Sequence, residues 1–117
     1  MGGLGAIIHF KKDSGASCSR IIAFRGITIG EGSLIGAGCL ICDSDMHKLP
    51  LGSEQPVKAA AIHIGERVFI GANCTILKGV MIGDAAVIGA HSVVTRDSPP
   101  HTRVAGNPAK DISSGLA

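Results

Sequence analysis

From Ile29 onward the chain returns to an aliphatic residue every six positions: IGEGSL, IGAGCL, ICDSDM and then, after a gap, IGERVF, IGANCT, ILKGVM, IGDAAV, IGAHSV and VTRDSP. The fifth place of these hexads holds Ser33, Cys39, Asp45, Val68, Cys74, Val80, Ala86, Ser92 and Ser98, all small or β-branched except Asp45. An aliphatic with a small partner four residues later fits neither the 3.6-residue period of a helix nor plain strand alternation. It predicts short extended segments that turn at each corner, the pattern of a β-solenoid.

A longer period lies inside the short one. The second hexad position runs Gly30, Gly36, Cys42, then Gly65, Gly71, Leu77, then Gly83, Gly89, Thr95. Every third hexad departs from glycine, so the unit is one 18-residue coil with three faces, and the stacked coils form a triangular prism. Stacking at one strand spacing, ~4.8 Å, puts Ile29, Ile64 and Ile82 in one column, Ile35, Ile70 and Ile88 in a second, and Ile41, Ile76 and Val94 in a third.

Residues 47–63 obey no hexad, and the repeat resumes in phase after them. This segment is expected to leave the prism at a corner and return, a loop added to a scaffold, where function tends to reside. Upstream, Ala23 can start one more hexad and Ser14 to Ile22 can be stretched into another, whereas residues 1–13 show no pattern. Pro99 and Pro100 stop the repeat, and an irregular tail is expected from there. The organisation is thus one domain over 1–117, with a lead-in (1–13), N-terminal coils (14–46), the inserted loop (47–63), C-terminal coils (64–99) and a tail (100–117).

Composition agrees with this picture. There is no Trp or Tyr and only three Phe, so the core must be aliphatic, and 17 glycines suit corners better than helices. Eleven Lys and Arg against nine Asp and Glu give a net charge of +2 with no basic run beyond Lys11-Lys12, too weak for a nucleic-acid footprint. The apolar stretch from Val68 to Ala90 contains Lys78 and Asp84 and recurring glycines, so it reads as repeat and not as membrane span. Residues 1–10 lack the cationic start and cleavage site of a secretory signal, which makes the cytoplasm the default location and leaves Cys18, Cys39, Cys42 and Cys74 as thiols. Cys39 and Cys42 have CxxC spacing, but no second CxxC or spaced His pair completes a zinc site, so no metal is expected.

The ordered set of hexads, DSDMHKL at the start of the inserted loop, the run IGANCTILKGVMIGDAAVIGAHSVVTRDSPP and the closing VAGNPAK resembles the hexapeptide-repeat acyltransferases, in the branch of maltose, galactoside and capsular-polysaccharide O-acetyltransferases. The match spans roughly Ser14 to Lys110. It implies an all-β, left-handed parallel β-helix; the handedness comes from the resemblance and not from the pattern. It also implies a homotrimer with sites between subunits, and transfer of acetyl from acetyl-CoA to a small-molecule acceptor.

In the family the histidine at the start of the loop is the general base, and His47 occupies that place. An acceptor hydroxyl is a poor nucleophile until its proton is removed, a task suited to imidazole near neutral pH. Asp43 or Asp45 could orient the ring; the spacing does not choose between them. The resemblance carries cofactor contacts onto Ala72, Ala90, Thr95 and Arg96 and onto the tail residues Gly106, Pro108 and Lys110. Arg96 stands out because a guanidinium pairs with phosphate oxygens. Ser14, Ser17 and Ser19 either line an acceptor pocket or satisfy a turn. Two rivals remain: a zinc enzyme of the gamma carbonic anhydrase type, against which His47, His63 and His91 lie in different settings, and a truncated scaffold or CoA-binding protein without catalysis. The acceptor, a sugar hydroxyl, a sugar amine or an antibiotic hydroxyl, is open.

Overall fold

The computed structural model describes residues 6–113. Twelve short strands form four coils of three: β1 (Ile8–Phe10), β2 (Gly15–Ala16) and β3 (Arg20–Ile22); β4 (Ile27–Ile29), β5 (Leu34–Ile35) and β6 (Leu40–Cys42); β7 (Ile62–Ile64), β8 (Phe69–Ile70) and β9 (Thr75–Ile76); β10 (Met81–Ile82), β11 (Val87–Ile88) and β12 (Val93–Val94). Two more strands, β13 (Arg103–Gly106) and β14 (Ala109–Asp111), follow. Each strand pairs in parallel with its equivalent in the next coil, giving three sheets: β1-β4-β7-β10, β2-β5-β8-β11-β13 with β14 at its edge, and β3-β6-β9-β12.

The register is the one that the isoleucine columns predict. Ile29 pairs with Ile64 and Ile64 with Ile82; Ile35 with Ile70 and Ile70 with Ile88; Ile41 with Ile76 and Ile76 with Val94. All nine are at most 2% exposed, so each column is a continuous apolar rod along the axis of the prism. Phe10, Ala16 and Ile21 extend the columns at one end, and Val104 continues the second beyond Ile88.

The corners explain the rest of the hexad. The fourth position has left-handed backbone, filled by Gly32, Gly38 and Gly79 but also by Arg67, Asn73, Ala85 and His91, with φ between 53° and 60° in these four. The second position faces the next coil: a Cβ on Gly71 would lie 2.7 Å from the backbone N of Ala90, which only glycine avoids. The small fifth residue donates across the coil gap, from the Ser33 hydroxyl to Gly65 O at 2.6 Å and from the Cys39 and Cys74 thiols to Gly71 O and Gly89 O at 3.1 Å.

Four expectations require correction. The lead-in 1–13 contains β1, paired with β4; its Ile8 and Phe10 are well exposed, so it carries no inward alternation for a sequence pattern to register. No hexad starts at Ala23. The column residue is Ile21, paired with Ile41, and the corner that leads from it to Ile29 is two residues longer than a regular one. The inserted loop ends before residue 63, because Ile62 is 1% exposed and the whole of β7 belongs to the coil. The tail is not irregular: β13 joins the second sheet and turns back on β14 as an antiparallel hairpin, with Val104 opposite Asp111.

The stack predicts two opposite effects on stability. Ile70→Ala, at the middle of a fully buried column, is expected to cost about 2–5 kcal/mol. Ala85→Gly, which relieves a left-handed corner, is expected to be neutral or to stabilise by up to ~1 kcal/mol despite the entropy of glycine. Urea unfolding of both variants beside the parent protein checks the pair.

Candidate active site

The chain leaves the prism after β6 and returns at β7, at the corner between the third and first sheets. The two limbs of the departing loop form a narrow neck. Asp45 N donates to Lys58 O and Ala60 N to Asp43 O, each at 2.9 Å, and Ser44 bridges Ala59 in antiparallel fashion. Gly79 N, one coil further, donates to Ala60 O at 2.9 Å. Met46 follows in left-handed backbone with φ 67°, its N–H held by the Ser44 hydroxyl at 2.9 Å. His47 is the next residue, and it is exposed.

The two carboxylates expected to compete for orienting that imidazole have other partners. Asp43 is fully buried, and its oxygens accept the N–H groups of Phe24, Arg25 and Gly26, all at 2.7 Å. Asp45 forms an ion pair with Lys78 at 2.8 Å. Neither is hydrogen-bonded to His47 among the described residues, because both are spent in fixing the neck from which His47 emerges. Lys78 escaped the sequence reading, although its signal was available: it sits at the third position of its hexad, eighteen residues before Arg96 and in the first coil after the break.

The cofactor positions implied by the resemblance divide between two edges of the prism. Ala72 and Ala90 stack on the edge between the second and third sheets, where His91 N donates to Ala72 O at 2.9 Å. Gly106 joins them, with φ 106° and its N–H held by the buried Ser92 hydroxyl at 3.1 Å, so the hairpin bearing Pro108 and Lys110 is anchored at that edge. Thr95 and Arg96 are exposed and follow β12 on the next edge, the one that carries Lys78 and, two coils away, the His47 loop. Within one chain, therefore, Ala72, Ala90 and Gly106 are separated from His47 by the whole width of the third sheet.

Of the serines, Ser14 donates to Lys11 O within its own turn. Ser19 is bound into its corner and accepts from Cys39 N at 3.1 Å. Ser17 is exposed and lines a shallow groove of about 380 Å³ with Leu34, Gly36 and Phe69. A second groove of about 390 Å³, beside His63, Met81, Asp97 and Pro100, lies on the first sheet. Among the described residues no three His, Cys, Asp or Glu side chains converge as metal ligands. The CxxC sulfurs of Cys39 and Cys42 are buried and point at different carbonyls, Gly71 O at 3.1 Å and Ser44 O at 3.3 Å. No helix of the described residues is long and apolar enough to cross a membrane.

Comparison with known proteins agrees with this geometry. The profile of the bacterial transferase hexapeptide (six repeats) matches residues 61–96, and that of the hexapeptide repeat of succinyl-transferase matches 15–42. The chain belongs to the hexapeptide-repeat transferases. Its fold is the left-handed parallel β-helix. It is 37% identical over 102 residues to WbbJ of Escherichia coli, a protein named as a lipopolysaccharide biosynthesis O-acetyl transferase, covering 79% of this chain and 52% of WbbJ. A maltose O-acetyltransferase from Clostridium difficile superposes with TM-score 0.84 at 32% identity, covering 91% of this chain and 58% of that one. The hexapeptide-repeat acetyltransferase VCA0836 of Vibrio cholerae, solved in complex with acetyl-CoA, gives TM-score 0.76 at 29% identity, over 96% of this chain and 68% of that one. This hexapeptide-repeat chain thus spans about half the length of its curated relative.

The cysteines offer a direct check on the packing. Burial pushes the Cys74 thiol above its ordinary range, and Cys39 and Cys42 are buried with it, whereas Cys18 is exposed. Thiolate is the reactive form, so a small disulfide reagent at pH 8 is expected to titrate one thiol per native chain and four after denaturation.

Proposed function

We propose that this chain transfers an acetyl group from acetyl-CoA to a hydroxyl of a small acceptor, with His47 as the general base. The observation that carries the reading is the position of His47: the first residue beyond the pinned neck of the one loop that interrupts a hexapeptide-repeat transferase coil. The imidazole takes the acceptor proton as the oxygen attacks the thioester carbonyl carbon. The C–S bond then breaks, and the departing sulfur recovers a proton to leave as CoA thiol.

The acyl donor follows from the relatives. VCA0836 was solved with acetyl-CoA, and the matched C. difficile protein is an acetyltransferase. Ala72 and Ala90, small residues on one edge, leave room for the pantetheine arm, with the Gly106–Lys110 hairpin beside them. Arg96 supplies a cation for a CoA phosphate.

The division of these residues between two edges favours a homotrimer, in which the bare edge of one copy faces the His47 loop of the next. An exposed apolar ladder supports such association: Leu34, Phe69 and Val87 lie in register on the second sheet, 53%, 48% and 37% exposed. With acetyl-CoA as the donor, the cytoplasm is the compartment this reading favours.

Calorimetry with acetyl-CoA and light scattering together test the donor half of the reaction: saturable binding by a trimer is expected, and a monomer without binding would overturn the reading. For the acceptor half, His47→Ala should lower turnover by about 10²- to 10⁴-fold while acetyl-CoA binding persists. Wild-type turnover in that variant would remove His47 from the chemistry.

A further inference from the structure

Two departures from the repeat face each other in successive coils. One is the long corner that runs from Ile21 to Ile29, and the other is the loop that leaves after β6. A regular corner closes with a left-handed residue at its fourth position, as at Gly79 and Ala85. The long corner instead turns a fan of three N–H groups inward, from Phe24, Arg25 and Gly26, and the Asp43 carboxylate fills that fan with three contacts of 2.7 Å.

The equivalent third hexad positions on the same edge are Lys78, half-buried, and Arg96, exposed. Only where the loop departs does this position hold a side chain that turns inward and is 0% exposed. The main chain of Asp43 is held as well: its N–H donates to Ile22 O at 3.3 Å and its carbonyl accepts from Ala60 N at 2.9 Å. One residue therefore ties the preceding coil to both limbs of the loop, four positions before His47.

We propose that Asp43 is a positioning residue, which fixes the direction in which the loop leaves and so the place where the His47 imidazole meets the acceptor. This rests on the reading of His47 as general base. Asp43 acts through the backbone and not by a bond to the ring. Three donors converge on two oxygens, so a carboxylate satisfies all of them with charge-assisted bonds. Asparagine would set an NH₂ group against at least one N–H, and glutamate would need room for a methylene in a closed space.

The test uses the full chain with Asp43→Asn, His47→Ala and the double variant. Hydrogen exchange at Phe24, Arg25 and Gly26 reads the clamp without reference to activity. Protection in the parent that is lost in Asp43→Asn is expected, and unprotected amides in the parent would overturn the proposal. Misplacement of a catalytic group by about 1 Å costs on the order of 10²-fold, so kcat of Asp43→Asn should fall by about that factor, with KM for acetyl-CoA unchanged.

In the His47→Ala background the same substitution should cost nothing more, because a positioning residue loses its effect with the group that it positions. Full additivity, or unchanged kcat despite lost protection, would overturn the role. Should Asp43→Asn fail to fold, Ala60→Pro removes the N–H held by the Asp43 carbonyl and leaves the buried carboxylate in place; the same non-additive loss is expected from it, and additive loss rejects the role. Wild-type turnover in His47→Ala would defeat the general-base reading and this proposal's link to catalysis together. The exchange data would then still report, separately, whether the clamp exists.

Discussion

Everything in this molecule depends on the hydrogen bonding of each coil to the next at one strand spacing, ~4.8 Å. A strand of two or three residues cannot hold itself, and its neighbours along the chain belong to other sheets. Its partners lie one coil away in space, and the residue stacked on Ile70 is Ile35 or Ile88 and never a near neighbour in sequence. This constraint selects β-branched aliphatics for the columns, because they pack on themselves along the axis. It also selects glycine at most second positions, where the next coil's backbone would lie as close as 2.2 Å to an added Cβ, as Gly65 O does at Gly30.

The same stacking sorts chemistry onto edges. Apart from the buried Asp43, third hexad positions are exposed or half-buried, and equivalent ones line up along the axis. One edge carries Glu31, Glu66 and Asp84; the second carries Ala37, Ala72 and Ala90; the third carries Asp43, Lys78 and Arg96. The acidic edge places like charges one strand spacing apart, and its members are spread among other partners: Asp84 accepts Glu66 N at 2.8 Å, and Glu66 pairs with Arg67 at 3.5 Å. The alanine edge carries no charged or bulky side chain at these positions, and Ala37 O and Ala72 O accept Asn73 N and His91 N from the next coil, each at 2.9 Å. The third edge gathers the cations Lys78 and Arg96 beside the loop.

The parts legible in the sequence are those in which every coil repeats the same requirement. Ile29, Ile64 and Ile82 announce their column because each faces the same axis. His47 was legible as an interruption of the pattern, together with the family motif around it. The lead-in strand was not, because the exposed Ile8 and Phe10 at the end of the stack have a coil on one side only, and half of the packing signal is absent. The hairpin of β13 and β14 was hidden because antiparallel return follows a rule of its own, and only Val104, 5% exposed, and the half-buried Ala109 pack against the core. The backbone contacts of Asp43 could not be read, since its donors lie 17 to 19 residues earlier, at a corner whose extra length disguises the register.

That corner bears on how a solenoid acquires a site. A perfect repeat offers every coil the same surface and therefore nowhere in particular to bind. Insertion of a loop breaks the equivalence, but a loop of this length costs conformational entropy and, left to itself, would carry its histidine through many positions. The neck answers this with groups the scaffold already holds: a buried carboxylate turned back to the coil before, and a lysine reaching up from the coil after to Asp45 at 2.8 Å. The loop is thereby gripped from both sides along the axis, and what stays free begins at His47. The stack thus fixes the backbone from which His47 emerges, through Asp43 on one side and Asp45 on the other.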